Sequence, residues 1–237
     1  MEKSKSIGRA TRPIFIPNSE NIGVIEQNID FDWHMGMSAK VRKRSIQSLH
    51  QEAKKRGFEN VLEASSKSEQ VIGIQLSAFF LKSIKGYPVE NLFQSSKVFE
   101  NGGPYRDLLT VTPREAKKNH RLKESGQMVK FTINQKDFPL EPKSLFYDWL
   151  YVNVLFSDVN LELREQFLDS QFDAFSDIEF NPKKSFSCQA RTLALCVSLY
   201  KNKCVKDFIQ DPVGFSNQFG LYKKTAQDEK VQLGLGI

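Results

Sequence analysis

The sequence predicts one α-rich domain of the α+β class with a small β component. Helix-capping residues precede several stretches in which apolar residues recur at helical spacing. Short β-branched and aromatic runs between these stretches are typical of strands. The 237 residues contain no internal repeat and no long linker, which favours a single domain. Hydrophobic residues make up 40% and charged residues 26%, so wholesale disorder and fibrous repeats are excluded.

The polar ends of the chain are expected to be flexible. Residues 1–11 and 223–237 contain few apolar anchors, which leaves residues 12–222 as the predicted domain. No apolar run approaches the roughly 20 residues that span a bilayer, and residues 1–9 lack the apolar stretch of a signal peptide. The three cysteines form no C-x-x-C pair, which argues against a disulfide framework and a zinc site. We therefore expect a cytoplasmic protein without a membrane partner.

Capping residues, prolines at helix starts and glycines at helix ends indicate the element boundaries. In chain order, the predicted elements are a strand at 12–16, a loop at 33–37, a helix from Ser38 to about Gly57, strands at 61–62 and 71–80, and helices at about 88–101, 113–122, 142–156 and 185–200. Thr112 and Glu115 are expected to form a capping box. The segment 172–180 is short, aromatic and acidic, and is expected to be extended.

Basic residues are concentrated in the first predicted helix. The net charge of +6 favours a polyanionic partner. Residues 40–56 contain a single acid, Glu52, and seven basic residues, which are Lys40, Arg42, Lys43, Arg44, Lys54, Lys55 and Arg56. This run is either a solvated helix face or a surface that contacts phosphates.

Common catalytic motifs are absent from the sequence. There is no G-x-G-x-x-G after a predicted strand, no Walker loop, no H-E-x-x-H and no G-x-S-x-G. The histidines His34, His50 and His120 are too scattered to suggest a metal site. Metal chemistry and nucleoside-triphosphate chemistry are therefore disfavoured.

The most informative predicted helix contains Glu90, Gln94 and Lys97. At about 100° per residue, Gln94 lies about 40° and Lys97 about 20° from Glu90 around the helix axis, so the three share one stripe. Such a stripe is either a solvated face with a small ion-pair benefit or, where Phe93 and Val98 enclose it, a reactive site. Enclosure would lower the pKa of Lys97 and make its amine a nucleophile.

A second candidate is the acidic and aromatic segment 172–180. If it is extended, Asp173, Asp177 and Glu179 face one way, because side chains alternate along a strand. Three like charges on one face would need a cation or a proton, whereas the other interpretation is an exposed acidic edge strand. Asp148, in a predicted aromatic helix, lies either at a polar boundary or in a pocket beside a stacking platform.

Short motifs in a fixed order resemble the NADAR family. The sequence L-S-A-F at 76–79, followed by Y-P-V-E at 87–90 with Gln94 and Lys97, resembles the family's L-S-N-F and T-V-E-H-x-x-Q-x-x-K. T-P-R-E-A-K at 112–117 is similar to the family's next helix. F-S-D ending at Asp177 lies where the family has its late acidic motif.

Longer segments resemble one branch of that family, the antitoxins associated with DarT toxins. They are residues 33–38, 141–149 and 175–182, and the resemblance extends from about residue 12 to about residue 214. Ala78 and Asn91 differ from the family's usual Asn and His, and the W-G that typically follows the late aspartate is absent.

The resemblance implies a NADAR-type α+β fold and an ADP-ribosyl N-glycosidase. Members of the family remove ADP-ribose from the guanine amino group, and the antitoxin branch thereby reverses DNA modification by a DarT toxin. The implied partners are ADP-ribosylated DNA, ADP-ribose and a DarT-type toxin, which is a genetic partner and a candidate physical one. No cofactor and no metal are implied.

Given that activity, three residues are expected to carry the chemistry. Glu90 would stabilise oxocarbenium character at the ribose or activate water, by analogy with glycosidases. Lys97 would attack C1 as a neutral amine and form a Schiff base, or else contact the diphosphate as a cation. Asp177 would orient the ribose hydroxyls or move the proton.

The remaining expected contacts are substrate-binding and DNA-binding residues. The expected substrate-binding residues are Arg12, Lys67, Phe79, Asn91, Gln94, Asp148, Trp149 and Arg191. Among them, basic side chains are candidates for the diphosphate and aromatic rings for base stacking, although Trp149 could equally belong to the core. The expected DNA contacts are Lys40, Arg42, Lys43 and Arg44.

Two other functions stay open at this point. An N-glycosidase of a small ribosylamino metabolite would use the same catalytic residues, but the basic helix argues against it. A non-catalytic module that binds modified DNA or the toxin is disfavoured by the presence of both Glu90 and Lys97.

Overall fold

The structure, a computed structural model, describes residues 7–36, 38–183 and 185–222. It confirms the α+β class, with helices packed around two small sheets. The expectations for residues 1–6 and 223–237 lie outside the described residues. Within the described ranges, none of the helices combines the length and the apolar character needed to cross a bilayer.

The described elements follow in chain order within each class. The strands are β1 (Ile7–Pro17), β2 (Val24–His34), β3 (Val61–Glu63), β4 (Lys97–Phe99), β5 (Met128–Ile133), β6 (Lys136–Phe138) and β7 (Ala174–Ser176). The helices are α1 (Ala39–Lys54), α2 (Val71–Gln75), α3 (Val89–Ser95), α4 (Pro113–Lys118), α5 (Arg121–Glu124), α6 (Leu145–Leu155), α7 (Leu161–Asp169), α8 (Gln189–Lys201), α9 (Val205–Gln210) and α10 (Pro212–Phe219). Short 3₁₀ turns lie at Arg106–Leu109 and Asp158–Asn160.

A long hairpin of β1 and β2 forms one side of the first sheet. The two strands are antiparallel and pair along their whole length, starting with Ile7 opposite His34. The strand predicted at 12–16 therefore begins earlier, at Ile7, and β2 extends to His34, into the loop expected at 33–37. The signal for β2 was the alternation of buried Ile29 and Phe31 with exposed acids, which is a strand pattern.

The strand β7 joins this hairpin to β3. It pairs antiparallel with β1, at Phe15 and Phe175, and parallel with β3, where Glu63 lies opposite Ser176. The predicted strand at 61–62 and the extended segment before Asp177 are thus confirmed. The end of β3 and the turn that carries Asp177 consequently lie side by side.

The basic helix α1 packs its apolar face on the first sheet. Ser38 caps the helix by accepting a hydrogen bond from the Val41 backbone N–H, which confirms the predicted start. Ile46, Leu49 and Ala53 are buried in one apolar cluster with residues of β1 and β2. Most of the basic side chains are therefore left on the outer face of the helix.

Residues 71–80, predicted as a strand, form the short helix α2 and a turn. A Cβ atom at Gly73 would clash with the Glu63 carbonyl oxygen, so glycine permits the close approach of α2 to β3. The prediction was wrong because a short apolar run does not distinguish a buried helix from a buried strand.

The helix predicted from Pro88 starts as expected but ends early. It stops at Ser95, and Lys97 begins β4, where it pairs with Phe131. The Ser96 hydroxyl donates to the Leu92 carbonyl oxygen, a local bond that competes with continued helix. Lys97 therefore enters the site from a strand, and the prediction that it lies on the helical stripe is wrong.

The C-terminal half contains the three helices predicted from the sequence. The Thr112 capping box is confirmed, but α4 ends at Lys118 and α5 follows as a separate turn. The predicted helices after Pro142 and Ser185 correspond to α6 and α8. The sheet of β4, β5 and β6 and the helices α7, α9 and α10 were not predicted.

A buried ion pair joins α6 to α8. Asp148 is 1% exposed and accepts hydrogen bonds from Arg191 Nη1 at 2.6 Å, from Tyr222 Oη at 2.9 Å and from the Thr192 hydroxyl. Burial raises the pKa of Asp148, and Arg191 opposes that rise. Asp148 and Arg191 thus bond to each other between the two helices, and the expectation that they contact substrate stays a prediction.

We expect Arg191→Met to lower the free energy of unfolding by about 3–5 kcal/mol, because it leaves the Asp148 carboxylate buried without its cation. Urea denaturation followed by circular dichroism measures this change. The control Lys54→Met removes an exposed partner of Glu59 and should leave the unfolding midpoint unchanged. Equal midpoints for Arg191→Met and the wild type would contradict a structural role for the pair.

Candidate active site

Glu90 is a buried carboxylate in the first turn of α3. It is 5% exposed, and its backbone N–H donates to the Ala78 carbonyl oxygen at 2.9 Å. Gln94 Nε2 donates to Glu90 Oε1 at 2.8 Å, one helical turn away. Lys117 Nζ lies 3.9 Å from Glu90 Oε2. These contacts hold the carboxylate in one orientation beside a cation.

Lys97 carries an amine that loses its proton more readily than an ordinary lysine. The pKa of Lys97 is lowered to about 8: burial is the largest cause, Glu90 opposes it, and Lys117 adds to the lowering. Its Nζ lies 4.6 Å from the centre of the Phe93 ring. A Cβ at Gly103 would clash with the Lys97 carbonyl oxygen, so this glycine lets the next loop pack against β4. Roughly a tenth of the amine is neutral at pH 7.

Asp177 is a second buried carboxyl, in the turn that follows β7. Its Oδ1 accepts from the Glu179 backbone N–H at 3.0 Å, and its Oδ2 accepts from Gln189 Nε2 at 3.0 Å. Burial, and then the charge of Glu63, raise the pKa of Asp177 to about 7. Asp177 is therefore able to give or take a proton near neutral pH.

Lys117 connects these groups electrostatically. It opposes the rise in the Asp177 pKa, lowers the Lys97 pKa and lies beside Glu90. Its Nζ is also 5.5 Å from the centre of the Phe79 ring, and its side chain is 59% exposed. Lys117 thus marks the solvent side of a group that we call the acid–lysine cluster, which consists of Glu90, Gln94, Lys97, Lys117 and Asp177.

Tyr147 supports the proximity of the two carboxylates. It is buried in α6, and its ring makes an edge contact with Phe93 at 5.1 Å. Burial raises the pKa of Tyr147, and the charges of Glu90 and Asp177 both raise it further. The predicted catalytic residues thus lie in one region, together with Gln94 and Phe79.

Two other predicted substrate contacts face elsewhere. Asn91 is fully buried, and its Nδ2 donates to the carbonyl oxygens of Leu108 and Val111, both at 2.7 Å. Trp149 Nε1 donates to the Ile209 carbonyl oxygen, and the Trp149 ring packs against Phe138. These contacts pair both side chains with backbone carbonyl groups and favour the core interpretation for Trp149, whereas substrate contact by either residue stays a prediction.

A cavity of about 560 Å³ adjoins Trp149 on the other side of α3. Its lining includes Leu92, Leu109 and Leu150, and is mainly apolar. None of the acid–lysine cluster lines this cavity. We therefore locate the candidate site by its converging charges rather than by this cavity.

The acidic segment does not present three carboxylates on one face. Its strand ends at Ser176, so the alternation expected from Asp173 to Glu179 breaks in the turn. Asp173 accepts from the Asn60 backbone N–H at 2.8 Å, and Glu179 lies 3.4 Å from Arg42. Only Asp177 joins the cluster, and its raised pKa agrees with the expected need for a proton.

The four basic residues expected to contact DNA differ in their exposure. Lys40 and Arg44 are exposed on α1, whereas Lys43 and Arg42 are half-buried. Arg42 lies over the Trp33 ring at 4.8 Å, beside its ion pair with Glu179. Lys40 and Arg44 are thus the most exposed of the four expected DNA contacts.

The two cations expected at the diphosphate lie on β1 and on the turn after β3. Arg12 lies over the Trp33 ring at 5.4 Å, and burial and the charge of Arg42 lower its pKa. Lys67 follows Ser65, whose hydroxyl accepts from the Lys67 backbone N–H at 3.1 Å. Both side chains are half-buried.

Sequence reasoning missed several residues of the site. Lys117 stands in the T-P-R-E-A-K motif, which was noted only as a helix signature. No sequence pattern singled out Glu63, Tyr147 or Gln189. A single polar residue beside apolar ones does not show from sequence alone whether it is functional or structural. Within the described residues, no three His, Cys, Asp or Glu side chains are grouped so as to hold a metal ion.

Comparison with known families agrees with this arrangement. Residues 10–230 match the family described as DarT1-associated NADAR antitoxin. No curated protein matches the chain. Because the family match covers most of the chain, the protein belongs to the DarT1-associated NADAR antitoxin family.

Proposed function

We propose that the protein is an N-glycosidase that hydrolyses ADP-ribose from guanine bases in DNA, and so reverses modification by a DarT-type toxin. The observation that carries this proposal is the convergence of the Lys97 amine, whose pKa is about 8, with buried Glu90 and with Asp177, whose pKa is about 7. Membership of an antitoxin family associated with DarT1 supports the toxin and, through it, the substrate.

The first step forms a bond between Lys97 and the sugar. The neutral Lys97 amine attacks C1 of the ribose, and the bond from C1 to the guanine amino nitrogen breaks. Asp177 gives its proton to the leaving amine and takes back the proton that the attacking nitrogen loses. The C1–O4′ bond then breaks to open the ribose ring: Asp177 protonates O4′ and takes the remaining N–H proton of the attached nitrogen, which leaves an imine between C1 and Lys97.

The second step releases the product. Water adds to the imine carbon, the bond from C1 to Lys97 breaks, and ADP-ribose leaves with the free amine restored. Glu90 stabilises positive charge at C1 in both steps, because a fixed buried carboxylate interacts more strongly than one in water. Gln94 keeps that carboxylate oriented through its hydrogen bond at 2.8 Å.

Exposed basic side chains on α1 and at Lys117 suit a nucleic-acid substrate. Lys40 and Arg44 are exposed on α1, and Lys117 lies at the solvent side of the cluster. Positive side chains at these places would contact the strand phosphates that accompany a modified base. A modified base must leave the stack to reach buried Glu90, so single-stranded or opened DNA is the favoured substrate.

Release of ADP-ribose from a guanine-ADP-ribosylated oligonucleotide tests the function directly. We expect release by the wild type, a loss of at least about 100-fold in Glu90→Gln and a loss of about 1,000-fold or more in Lys97→Arg. Arginine keeps the charge but cannot act as a neutral amine at pH 7. Lys130→Arg alters another strand lysine, paired with Asp137 outside the cluster, and should retain wild-type activity.

Two outcomes would contradict this account in different ways. Rapid turnover by Lys97→Arg would exclude the covalent step and leave Lys97 as a cationic contact. Tight binding of the modified oligonucleotide without release of ADP-ribose would indicate a non-catalytic binder.

The pH dependence of kcat/KM is expected to peak between about pH 7 and 8. Below about 7 the rate falls because Lys97, with a pKa of about 8, is increasingly protonated. Above about 8 it falls because Asp177, with a pKa of about 7, has lost the proton that it must donate. Between these values the two changes offset each other. A rate that keeps rising beyond pH 9 would exclude Asp177 as the acid.

A further inference from the structure

A second buried acid bonds to the turn that carries Asp177. Glu63, at the end of β3, is 2% exposed. Its Oε1 accepts from Ser65 Oγ at 2.6 Å and from the Ile178 backbone N–H at 2.9 Å, and its Oε2 accepts from Ser176 Oγ at 2.6 Å. Three donors thus converge on one carboxylate that the proposed reaction does not use.

The same chain of hydrogen bonds continues to a histidine on α1. His50 Nε2 lies 2.8 Å from Ser176 Oγ. Burial lowers the pKa of His50 to about 4, so the imidazole is neutral at pH 7. Because the Ser176 hydroxyl donates to Glu63, its oxygen accepts the hydrogen of His50 Nε2. This direction defines the tautomer of His50.

Glu63 bonds to the residues that precede and follow Asp177 in the chain. Ser176 and Ile178, which flank Asp177, both donate to the Glu63 carboxylate. Glu63 and Ser176 are also register partners of the parallel pair β3 and β7. The turn that carries Asp177 is thus fixed to the end of β3 by side-chain bonds as well as by the sheet.

The local charges indicate which of the two acids keeps a proton. The ionisable groups around Asp177 are Glu63, Glu179, Lys117, Tyr147 and Cys188. Burial raises the pKa of both Glu63 and Asp177, and their mutual repulsion disfavours two charges. Glu63 has three donors and Asp177 has two, so we assign the charge to Glu63 and the proton to Asp177.

We propose that Glu63 is a positioning residue for Asp177: its hydrogen bonds fix the turn on both sides of Asp177, and its negative charge keeps Asp177 protonated. Glu63 itself touches no substrate in this account. The effect of Glu63 on catalysis rests on the proposed function, in which Asp177 is the acid. The effect of Glu63 on the protonation of Asp177 is independent of that function.

Glu63→Gln removes the charge and keeps the shape. The Ile178 N–H still needs an acceptor, so the glutamine oxygen takes the place of Oε1 and its NH₂ group faces Ser176. Ser176 then accepts from this group and donates to His50 Nε2, which moves the histidine hydrogen to Nδ1. The variant therefore retains a fully bonded network.

The test is a titration of the full chain by NMR, with ¹³C-labelled aspartate carboxyl groups and ¹⁵N-labelled histidine. We expect Asp177 to titrate near pH 7 in the wild type and about one pH unit or more lower in Glu63→Gln. The His50 tautomer should change in the same variant. The control Glu69→Gln removes an acid that also acts on His50 and is bonded to Gln47, and it should leave the Asp177 titration unchanged.

An unchanged Asp177 titration in folded Glu63→Gln would overturn the proposal. If that variant does not fold, Ser176→Ala serves instead, because loss of one donor lets Glu63 take the shared proton more readily. We then expect Asp177 to titrate at lower pH than in the wild type, and no shift would again overturn the proposal.

Kinetics separate this inference from the proposed function. Where the protein releases ADP-ribose, the pH optimum of Glu63→Gln should move to lower pH with the Asp177 titration. A shifted titration with an unchanged pH optimum would support the role of Glu63 but remove Asp177 as the acid. A shifted titration in a protein that releases no ADP-ribose would support Glu63 and contradict the glycosidase.

Discussion

Removal of water from Glu90, Lys97 and Asp177 is the constraint on which the candidate site depends. Burying ionisable groups is unfavourable unless hydrogen bonds or opposite charges compensate, and the chain supplies both. Gln94 bonds to Glu90, and Gln189 bonds to Asp177. The part of the desolvation cost that these contacts do not offset shifts the pKa values of Lys97 and Asp177 to about 8 and about 7. Both groups can therefore exchange protons near neutral pH.

The fold brings these groups together from elements that are distant in sequence. Lys97 comes from the second sheet, Glu90 from the helix before it and Asp177 from the turn after β7 of the first sheet. Gly73 and Gly103 permit close packing against the backbone of Glu63 and Lys97. Larger residues at these two glycines would displace β3, which carries Glu63, and β4, which carries Lys97, so the candidate site depends on backbone packing as well as on side chains.

The sequence predicted local features well and tertiary ones poorly. The Ser38 cap, the Thr112 capping box and the helix start at Pro88 depend on neighbouring residues, and all were recoverable. The stripe of Glu90 and Gln94 was correct within α3, but Lys97 reached the same region through a strand. The pairing of Asp148 with Arg191 spans 43 residues, and no local periodicity predicts such a contact. The proposed substrate came from family resemblance, because residue spacing alone does not indicate one.

The attack of the Lys97 amine on the ribose is the central claim, and trapping of the imine tests it most directly. The protein would be incubated with guanine-ADP-ribosylated DNA and cyanoborohydride, which reduces an imine to a stable amine, and then mapped by peptide mass spectrometry. The account predicts an ADP-ribose adduct on Lys97, absent from Lys97→Arg. Continued release of ADP-ribose with no adduct, or an adduct on Lys117 instead, would contradict it.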